Sequence, residues 1–146
     1  MTEGSAEIRR VFDAYKAAVL AKDVDAYIAL YDDGVRIFDM WQQWLYRGTP
    51  GWRGAAEGWF GSLGSERVVV DADDLNIRVG GDLASLDGFV TFTARSAEGA
   101  DLRSLTERLT WVLGFADGQW KIVHQHSSAP LDFKTAKAIF SREQGD

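Results

Sequence analysis

Apolar residues recur at helical intervals in the first 63 residues of the chain. Between residues 5 and 21 they lie three or four positions apart, with charged residues between them. This pattern predicts an amphipathic helix with Ser5 as its N-cap. Asp23 precedes a second, short helical segment, which we expect to run through Tyr31 and to end at Gly34 as a C-cap. Residues 51–63 predict a third helix, although its four glycines each cost about 1 kcal/mol relative to Ala.

Between the second and third predicted helices, a short strand is predicted at 35–38 and a loop at 39–49. Beyond residue 66 the hydrophobic pattern becomes that of β-strands, and four long strands are predicted at 68–79, 83–94, 102–115 and 120–128. Asp117-Gly118 separates the last two strands, and Asp-Gly between apolar runs is a strong hairpin signal because both central residues need φ > 0. This order predicts an α+β fold, with three N-terminal helices packed on one face of an antiparallel sheet.

The last hairpin determines which side chains face the helices. A two-residue Asp117-Gly118 turn pairs Ala116 with Gln119, and alternation then divides both strands into two sets. The more apolar set, which we assign to the helix-covered face, contains Leu109, Trp111, Leu113, Phe115, Trp120, Ile122, His124 and His126. The other face carries Arg108, Thr110, Val112, Val123 and Gln125. A bulge before His124 would instead turn Gln125 and Arg108 inward, giving a pocket suited to an anionic ligand.

Length, composition and charge are those of an ordinary globular chain. Its 146 residues fit one domain spanning 1–146. The net charge is −6 and the basic residues are scattered, whereas nucleic-acid binding needs a concentrated basic face, so no nucleic-acid partner is expected. No apolar run reaches the roughly 20 residues of a membrane span, and the N-terminus lacks a signal-peptide pattern. We therefore expect a cytoplasmic protein with no membrane partner.

Two residue counts change this picture. The chain has no cysteine and only two histidines, so we predict no disulfide, no metal site and no cofactor. It also has 18 aromatic residues, of which six are Trp, and four of these Trp lie between residues 41 and 59. Such a concentration of large flat side chains is typical of a ligand pocket as well as of a core.

Five segments resemble the SnoaL-like proteins of the nuclear-transport-factor-2-like superfamily. The segment from Asp117 to Pro130 resembles their last hairpin. It also resembles the end of the calcium/calmodulin-dependent kinase II association domain, with its Trp, His-x-His and Ser. The other four segments follow the family pattern in order: Phe38 to Gly48, Trp59 to Gly64, Asp74-Leu75 with Gly80-Gly81-Asp82, and Arg108-x-Thr110.

This resemblance implies a cone of the cystatin-like type, in which a strongly curved sheet and three helices enclose a pocket, and a homodimer built on the sheet. It implies no single activity, because the superfamily includes isomerases, dehydratases, cyclases, hydrolases and proteins that only bind or assemble. Relatives place Glu between the two histidines and His in the second long strand, where this sequence has Gln125 and Asp87. This departure argues against a mechanism that needs a carboxylate between the histidines.

His124 and His126 are candidate catalytic residues. They lie two positions apart on one strand and therefore on the same face, and imidazole titrates near neutral pH, as a general acid or base must. The alternative is a structural pair that hydrogen bonds to neighbouring hydroxyl or backbone groups.

Asp39 is the third candidate catalytic residue. It follows an apolar strand at the start of the predicted loop 39–49, which contains Trp41 and Trp44 and which we call the Trp-rich loop. A carboxylate among aromatic side chains has a raised pKa. The alternative is an Asp that caps its own loop.

Arg108 is a candidate ligand contact in the middle of the third long strand. Its guanidinium suits a carboxylate or an oxyanion. It can equally pair with Glu107, with Asp87 or with a dimer partner. The uninterrupted register places it on the face opposite to the histidines.

The remaining candidate ligand contacts are aromatic. Trp41 and Trp44 lie in the predicted loop, where core packing does not explain them, and are the strongest candidates. The other aromatic residues lie where the family builds its pocket wall, and the alternative is that most of them are core residues: Tyr15, Tyr31, Phe38, Trp52, Trp59 and Phe60.

Three functions remain open at this stage. The first is a protein that binds an apolar or aromatic small molecule. The second is an acid/base enzyme that uses Asp39 with His124 or His126. The third is an assembly module in which the sheet face matters and the pocket does not. We expect a homodimer through the uncovered sheet face, which carries Thr110, Val112 and Val123.

Overall fold

The computed structural model describes residues 3–142 and contains three helices and six strands in that range. The elements in chain order are α1 (Glu3–Ala21), α2 (Val24–Ile28), β1 (Tyr31–Phe38), β2 (Tyr46–Arg47), α3 (Gly48–Ser62), β3 (Arg67–Gly80), β4 (Leu83–Arg95), β5 (Asp101–Ala116) and β6 (Gln119–Ser128). The predicted α+β fold is confirmed, and all four long strands form within two residues of their expected bounds.

The six strands form one sheet in the order β2-β1-β6-β5-β4-β3. Every neighbouring pair is antiparallel except β1 and β6, which run parallel, so the sheet is mostly rather than wholly antiparallel. The turn at Asp117-Gly118 forms as predicted: Ala116 pairs with Gln119, and φ is +53° at Asp117 and +77° at Gly118. These positive angles match the mirror-image turn that suits the twist of a hairpin.

An irregularity in β3 interrupts its ladder with β4 and bends the sheet. In β3 the register shifts between Asp73 and Asn76, where Asp74 has a φ of +55°. Gly88 lies opposite on β4, and a Cβ added there would approach the Leu75 side chain to 2.8 Å. A glycine at this position therefore allows the bulged strand to come close, and bulges of this kind bend a strand and increase its twist.

The helices cover one face of the sheet and bury a cluster of aromatic rings against it. Ile8, Phe12, Tyr15 and Val19 follow one stripe of α1 and are buried. The ring centroids of Phe12 and Tyr15 lie 5.6 and 5.3 Å from that of Trp111 on β5, which is fully buried. This packing fixes α1 over the centre of the sheet, because aromatic pairs at such spacings add to the stabilisation from burial.

Two predicted helix boundaries are wrong. The second helix ends at Ile28, and Tyr31 and Gly34 belong to β1. The Leu30 carbonyl accepts a hydrogen bond from the Ile122 amide, and Tyr31 pairs with Ile122 on β6, so strand pairing replaces the last expected turn. Ser5 lies inside α1, which begins at least two residues earlier, and is therefore not its N-cap. Asp23 does cap α2, since its carboxylate accepts a bond from the Ala26 amide at 3.0 Å.

The predicted faces of the last hairpin are correct on β5 and wrong on the second half of β6. Ile122 pairs with Leu113 but His124 pairs with Val112, so Val123 is an extra residue on β6. This bulge reverses the alternation beyond it: Gln125 and Ser127 are buried on the helix-covered face, and His124 and His126 lie on the other face, which we call the outer face.

The segment after β6 returns to the edge of the sheet. Leu131 forms an isolated bridge with Ala138, and the Thr106 amide of β5 donates to the Phe140 carbonyl at 2.8 Å. Arg142 lies over the Phe89 ring, 3.6 Å from its centroid. These contacts hold Phe140 beside the strand that lines the interior. None of the helices in residues 3–142 is long and apolar enough to cross a membrane.

Candidate functional site

A cavity of about 760 Å³ lies between the helices and the inner face of the sheet. Eight aromatic residues line it: Tyr15, Tyr27, Trp41, Tyr46, Trp52, Trp59, Phe92 and Phe140. The polar groups that reach the cavity are few, and the central ones are Asp39, Glu107 and Gln125. An apolar cavity of a few hundred cubic ångströms with a few polar groups is the usual form of a small-molecule site.

Gln125 is held in one orientation at the deep end of the cavity. Its Oε1 accepts hydrogen bonds from the Tyr31 hydroxyl at 2.6 Å and from the Trp111 indole at 2.9 Å. The side-chain oxygen therefore faces two donors, and the amide nitrogen must point elsewhere. The buried indole N–H of Trp52, whose ring lies 6.1 Å from that of Tyr31, interacts with the Tyr31 hydroxyl.

Two carboxyl groups meet at the Ser127 hydroxyl, further along the same wall. This hydroxyl donates to Asp39 Oδ1 at 3.1 Å and accepts from the Met40 amide at 3.3 Å. The Glu107 carboxyl also interacts with it. Asp39 follows the end of β1, Ser127 lies on β6 and Glu107 on β5, so the three residues join adjacent strands. We call Asp39, Ser127 and Glu107 the acid cluster.

Both carboxyl groups of the acid cluster have raised pKa values. Burial, and secondarily the charge of Asp39, raises the pKa of Glu107 to about 8. Burial also raises the pKa of Asp39, while hydrogen bonds from Ser127 and from the Trp41 and Met40 amides lower it. Glu107 is therefore mostly protonated at neutral pH. Two carboxyl groups of different pKa form a donor and acceptor pair suited to proton transfer.

Three buried tyrosines back the cavity and stay neutral. Burial raises the pKa values of Tyr15, Tyr27 and Tyr31 well above the ordinary value, and the charge of a neighbouring tyrosine adds to the effect. Their hydroxyl groups can donate or accept hydrogen bonds but do not ionise in a useful range. The interior thus offers ring surface and neutral hydroxyl groups.

The mouth of the cavity lies between the Trp-rich loop, the C-terminal segment and α3. Trp41 and Phe140 stack there with centroids 5.5 Å apart and an interplanar angle of 28°. Gly54 and Gly58 line the opposite side, one helical turn apart, and a Cβ added at either would meet nothing within 4 Å. The only cation that lines the cavity within residues 3–142 is Arg103, and it pairs with Glu66 at 2.7 Å.

Comparison with family models matches residues 8–132 to the SnoaL-like domain, which is most of the chain. The chain belongs to the SnoaL-like domain family. Its fold is the cystatin-like fold of nuclear-transport-factor-2-like proteins, as the structural comparisons below also indicate. No curated protein matches the sequence of this SnoaL-like domain.

Solved structures of similar fold come from several bacteria. A nuclear-transport-factor-2-like protein of unknown function from Pseudomonas putida is 26% identical, with a TM-score of 0.85 and 98% of each chain covered. A putative calcium/calmodulin-dependent protein kinase II association domain from Xanthomonas campestris is 22% identical, with a TM-score of 0.72, covering 85% of this chain and 86% of that one. Aln2 from a Streptomyces species is 16% identical, with a TM-score of 0.77 and coverages of 88% and 91%.

The SnoaL-like domain brings together about half of the residues that the sequence singled out. Tyr15, Asp39, Trp41, Trp59 and Gln125 all line the main cavity. Tyr31 does not line it but holds Gln125 from behind. Whether any of these residues contacts a ligand stays a prediction.

The expectation that both histidines share this cavity with Asp39 is wrong, because the bulge at Val123 turns them to the outer face. There His124 Nδ1 lies 2.8 Å from the Arg36 carbonyl oxygen, and the Phe38 ring lies 5.0 Å from the His124 ring and 5.4 Å from that of His126. His126 does line a second cavity of about 610 Å³ together with Asp39 and the Trp-rich loop. Asp39 thus lies between the two cavities.

Besides Tyr31, three predicted ligand contacts lie outside the main cavity. Phe38 of β1 pairs with His126 of β6, so its side chain lies on the outer face and packs against the histidines there. Arg108 is exposed on the outer face too, where its Nε donates to Ser128 Oγ at 3.0 Å; the predicted opposition between Arg108 and the histidines is therefore wrong. Trp44 is 95% exposed and touches only the second cavity. With Arg108 outside, an arginine–glutamine pocket for an anion does not form.

The main functional residue that sequence reasoning missed is Glu107. The alternation on β5 does indicate that Glu107 faces inward. It lies two positions before Leu109 and therefore on the same face as Leu109, Trp111 and Leu113. Phe140 carried no such signal, since it lies in a segment without regular structure. Within residues 3–142, no group of three or more His, Cys, Asp or Glu side chains is arranged to hold a metal ion.

Proposed function

We propose that this SnoaL-like domain binds a flat, apolar or aromatic small molecule in the main cavity. The observation that carries the proposal is the lining: eight aromatic side chains surround about 760 Å³ and leave few polar atoms exposed inside. Such a volume suits a molecule of two to four fused rings. A cavity of this kind would lower stability if it stayed empty, because the lining atoms lose packing contacts.

The interior supports a neutral rather than an anionic ligand. Most of its surface is apolar, and Arg103 at the mouth is already paired with Glu66. A buried negative charge on the ligand would lack a partner and would cost several kcal/mol. Two of the buried tyrosines, Tyr15 and Tyr27, add flat surface and neutral hydroxyl groups to the cavity wall.

Tryptophan fluorescence tests this proposal directly. Trp41, Trp52 and Trp59 line the cavity, so a tricyclic aromatic probe such as fluorene should change the emission in a saturable way with one site per chain. Saturation at micromolar probe is the expected result. A linear, unsaturable response, equal to that of the unfolded chain in urea, would contradict the proposal.

A second candidate function is acid/base catalysis by the acid cluster. The observation that favours it is the pair of Asp39 and Glu107, whose carboxyl groups share the Ser127 hydroxyl while Glu107 keeps its proton at neutral pH. In this scheme the Asp39 carboxylate accepts a proton from the carbon next to a ligand carbonyl, and the Glu107 carboxyl donates to the oxygen on which charge develops. This pairing replaces the expected pairing of Asp39 with a histidine.

Proton exchange distinguishes catalysis from binding alone. In D₂O the protein should accelerate deuterium incorporation at the α-carbon of 1-tetralone, followed by NMR, and Asp39→Asn should reduce the acceleration by about 10²-fold or more. Binding of 1-tetralone without any acceleration would leave the binding function and exclude this catalytic one.

We further propose that two copies associate through the outer face. Thr110, Val112 and Val123 are on this face or at its bulge, and Phe38 packs there between the two imidazoles. A second copy would cover Thr110, which is exposed, and the half-buried Phe38, Val112 and Val123. Sedimentation equilibrium should then give twice the 16.2 kDa chain mass at micromolar concentration. A single species of the chain mass would refute the dimer and the assembly function with it.

A further inference from the structure

The amide group of Gln125 is the most constrained polar group in the cavity wall. Only 3% of the residue is exposed, and both hydrogen bonds that its side chain forms in the described structure use Oε1 as acceptor. The amide oxygen cannot exchange places with the nitrogen, because the amide N–H groups would then face the Trp111 indole N–H, which can only donate. The orientation of the amide is therefore fixed by the floor of the cavity.

In this orientation the amide nitrogen of Gln125 still has its N–H groups available to donate hydrogen bonds. Among residues 3–142 it has no hydrogen-bond partner, and Gln125 lines the cavity. Polar groups in a protein interior are almost always paired, so a donor that faces the cavity without a partner in the described chain calls for an acceptor inside the cavity, either a water molecule or a ligand group.

We infer that the ligand carries a neutral carbonyl oxygen that accepts a hydrogen bond from the Gln125 amide nitrogen. This inference rests on the proposed binding function and narrows the ligand class to flat ketones, quinones, esters or amides. An anionic acceptor fits poorly, because the one cation in the described cavity wall is paired with Glu66 and the Asp39 carboxylate lies in the same wall.

The acid cluster and the Gln125 amide contact different parts of such a ligand. Gln125 lies opposite Trp111 on β5, whereas Glu107 lies two inward positions further along that strand. A molecule anchored by its carbonyl at Gln125 therefore extends along the inner face of the sheet toward Asp39 and the mouth.

Three tricyclic probes of nearly the same shape test the inference. Fluorene has no acceptor, 9-fluorenone has a neutral carbonyl, and fluorene-9-carboxylate has a charged group. Equilibrium dialysis at pH 7 should give 9-fluorenone an affinity about 3- to 10-fold higher than that of fluorene, the usual worth of one net hydrogen bond. The carboxylate should bind at least about 10-fold more weakly than the ketone.

The Gln125→Met variant removes the donor at nearly the same side-chain volume. It also removes Oε1, but that loss affects fluorene and 9-fluorenone alike, so the ratio of their affinities reports only the donor to the ligand. The preference for 9-fluorenone over fluorene should disappear in this variant. The carbonyl stretching band of bound 9-fluorenone, which a hydrogen bond moves to lower frequency, supplies a measurement on the wild-type protein alone, so the test does not depend on the variant folding.

The outcomes separate the two ideas. Equal affinities for fluorene and 9-fluorenone, with an unshifted carbonyl band, would overturn the inference and leave the proposed binding function standing. Failure of all three probes to bind would contradict the proposed function and the inference together. A preference for the carboxylate would overturn the neutral-ligand argument.

Discussion

The Ser127 hydroxyl donates a hydrogen bond to the Asp39 carboxylate across 3.1 Å and, at the same time, accepts one from the Met40 amide. This small contact ties the end of β1 and the start of the Trp-rich loop to β6. It also keeps the Asp39 carboxylate in the wall of the cavity, next to the neutral carboxyl of Glu107. The stability of the fold and the protonation of the site are therefore linked at one hydroxyl group.

Replacing Glu107 should change how stability depends on pH. Its folded pKa of about 8 lies above its ordinary value of 4.5, so the folded state holds the proton more tightly than the unfolded chain does. The stabilisation is complete below about pH 4.5 and is lost as the pH rises to about 8. Glu107→Gln should therefore match the wild type near pH 5 and exceed it by on the order of a few kcal/mol at pH 8.5.

Urea unfolding at pH 5, 7 and 8.5 measures this difference. Glu57→Gln is the matched control, because Glu57 is exposed on α3. If the free energies of unfolding of the wild type and Glu107→Gln differed by the same amount at all three pH values, the assignment of a buried neutral carboxyl would be wrong.

The strand pattern predicted the fold and part of the cavity wall, but one inserted residue determined which side chains of β6 face the cavity. Up to Ile122, alternation predicts the correct face of both hairpin strands. Val123 then adds one residue, and every later side chain of β6 changes side. Nothing in the spacing of Val123, His124 and Gln125 marks a bulge, because both faces of this stretch contain apolar and polar residues. Only pairing with the neighbouring strands determines the register.

Glu107 and Phe140 illustrate two different reasons why the sequence pattern did not predict a residue of the cavity. The position of Glu107 followed from alternation, but a carboxyl on an apolar face is usually assumed to be an error of register rather than a buried acid. Phe140 reaches the cavity mouth through tertiary contacts of an irregular segment, chiefly the Thr106–Phe140 backbone hydrogen bond. Local pattern does not encode such a contact.

Trp41 and Trp44 should differ sharply in their effect on ligand binding. Trp41 lines the main cavity and stacks on Phe140, whereas Trp44 is almost fully exposed. Trp41→Ala should weaken the binding of fluorene by about 1–3 kcal/mol, the value of one large apolar contact. Trp44→Ala should leave it within about 0.5 kcal/mol. Isothermal titration compares the two variants, and equal losses in both would argue that the ligand occupies the second cavity.

The histidines should affect association rather than ligand binding. His124 lies on the outer face with its ring against Phe38. His124→Gln should leave the affinity for fluorene within about twofold of the wild type, as expected for a change away from the cavity. Sedimentation equilibrium should show a weaker dimer, because the substitution removes a ring contact from the proposed interface. A loss of fluorene affinity as large as that of Trp41→Ala would contradict the placement of His124.

The glycines of α3 provide the last test, because they separate helix stability from access to the cavity. Gly58 and Gly61 both lie in α3, and a Cβ added at either would meet nothing within 4 Å. Only Gly58 lines the cavity. Leucine at either position should stabilise the helix by about 0.5–1 kcal/mol relative to glycine, since glycine is a poor helix former.

Ligand binding should distinguish the two positions. The isobutyl group of Gly58→Leu projects into the mouth opposite Trp41 and should lower the affinity for 9-fluorenone by about 10-fold or slow its association to a similar degree. Gly61→Leu should change neither. Stopped-flow fluorescence with thermal unfolding of both variants gives the rate, the affinity and the stability together. If Gly58→Leu were stabilised like Gly61→Leu and still bound as the wild type does, ligands would enter by another route, and the glycines would have no role in access.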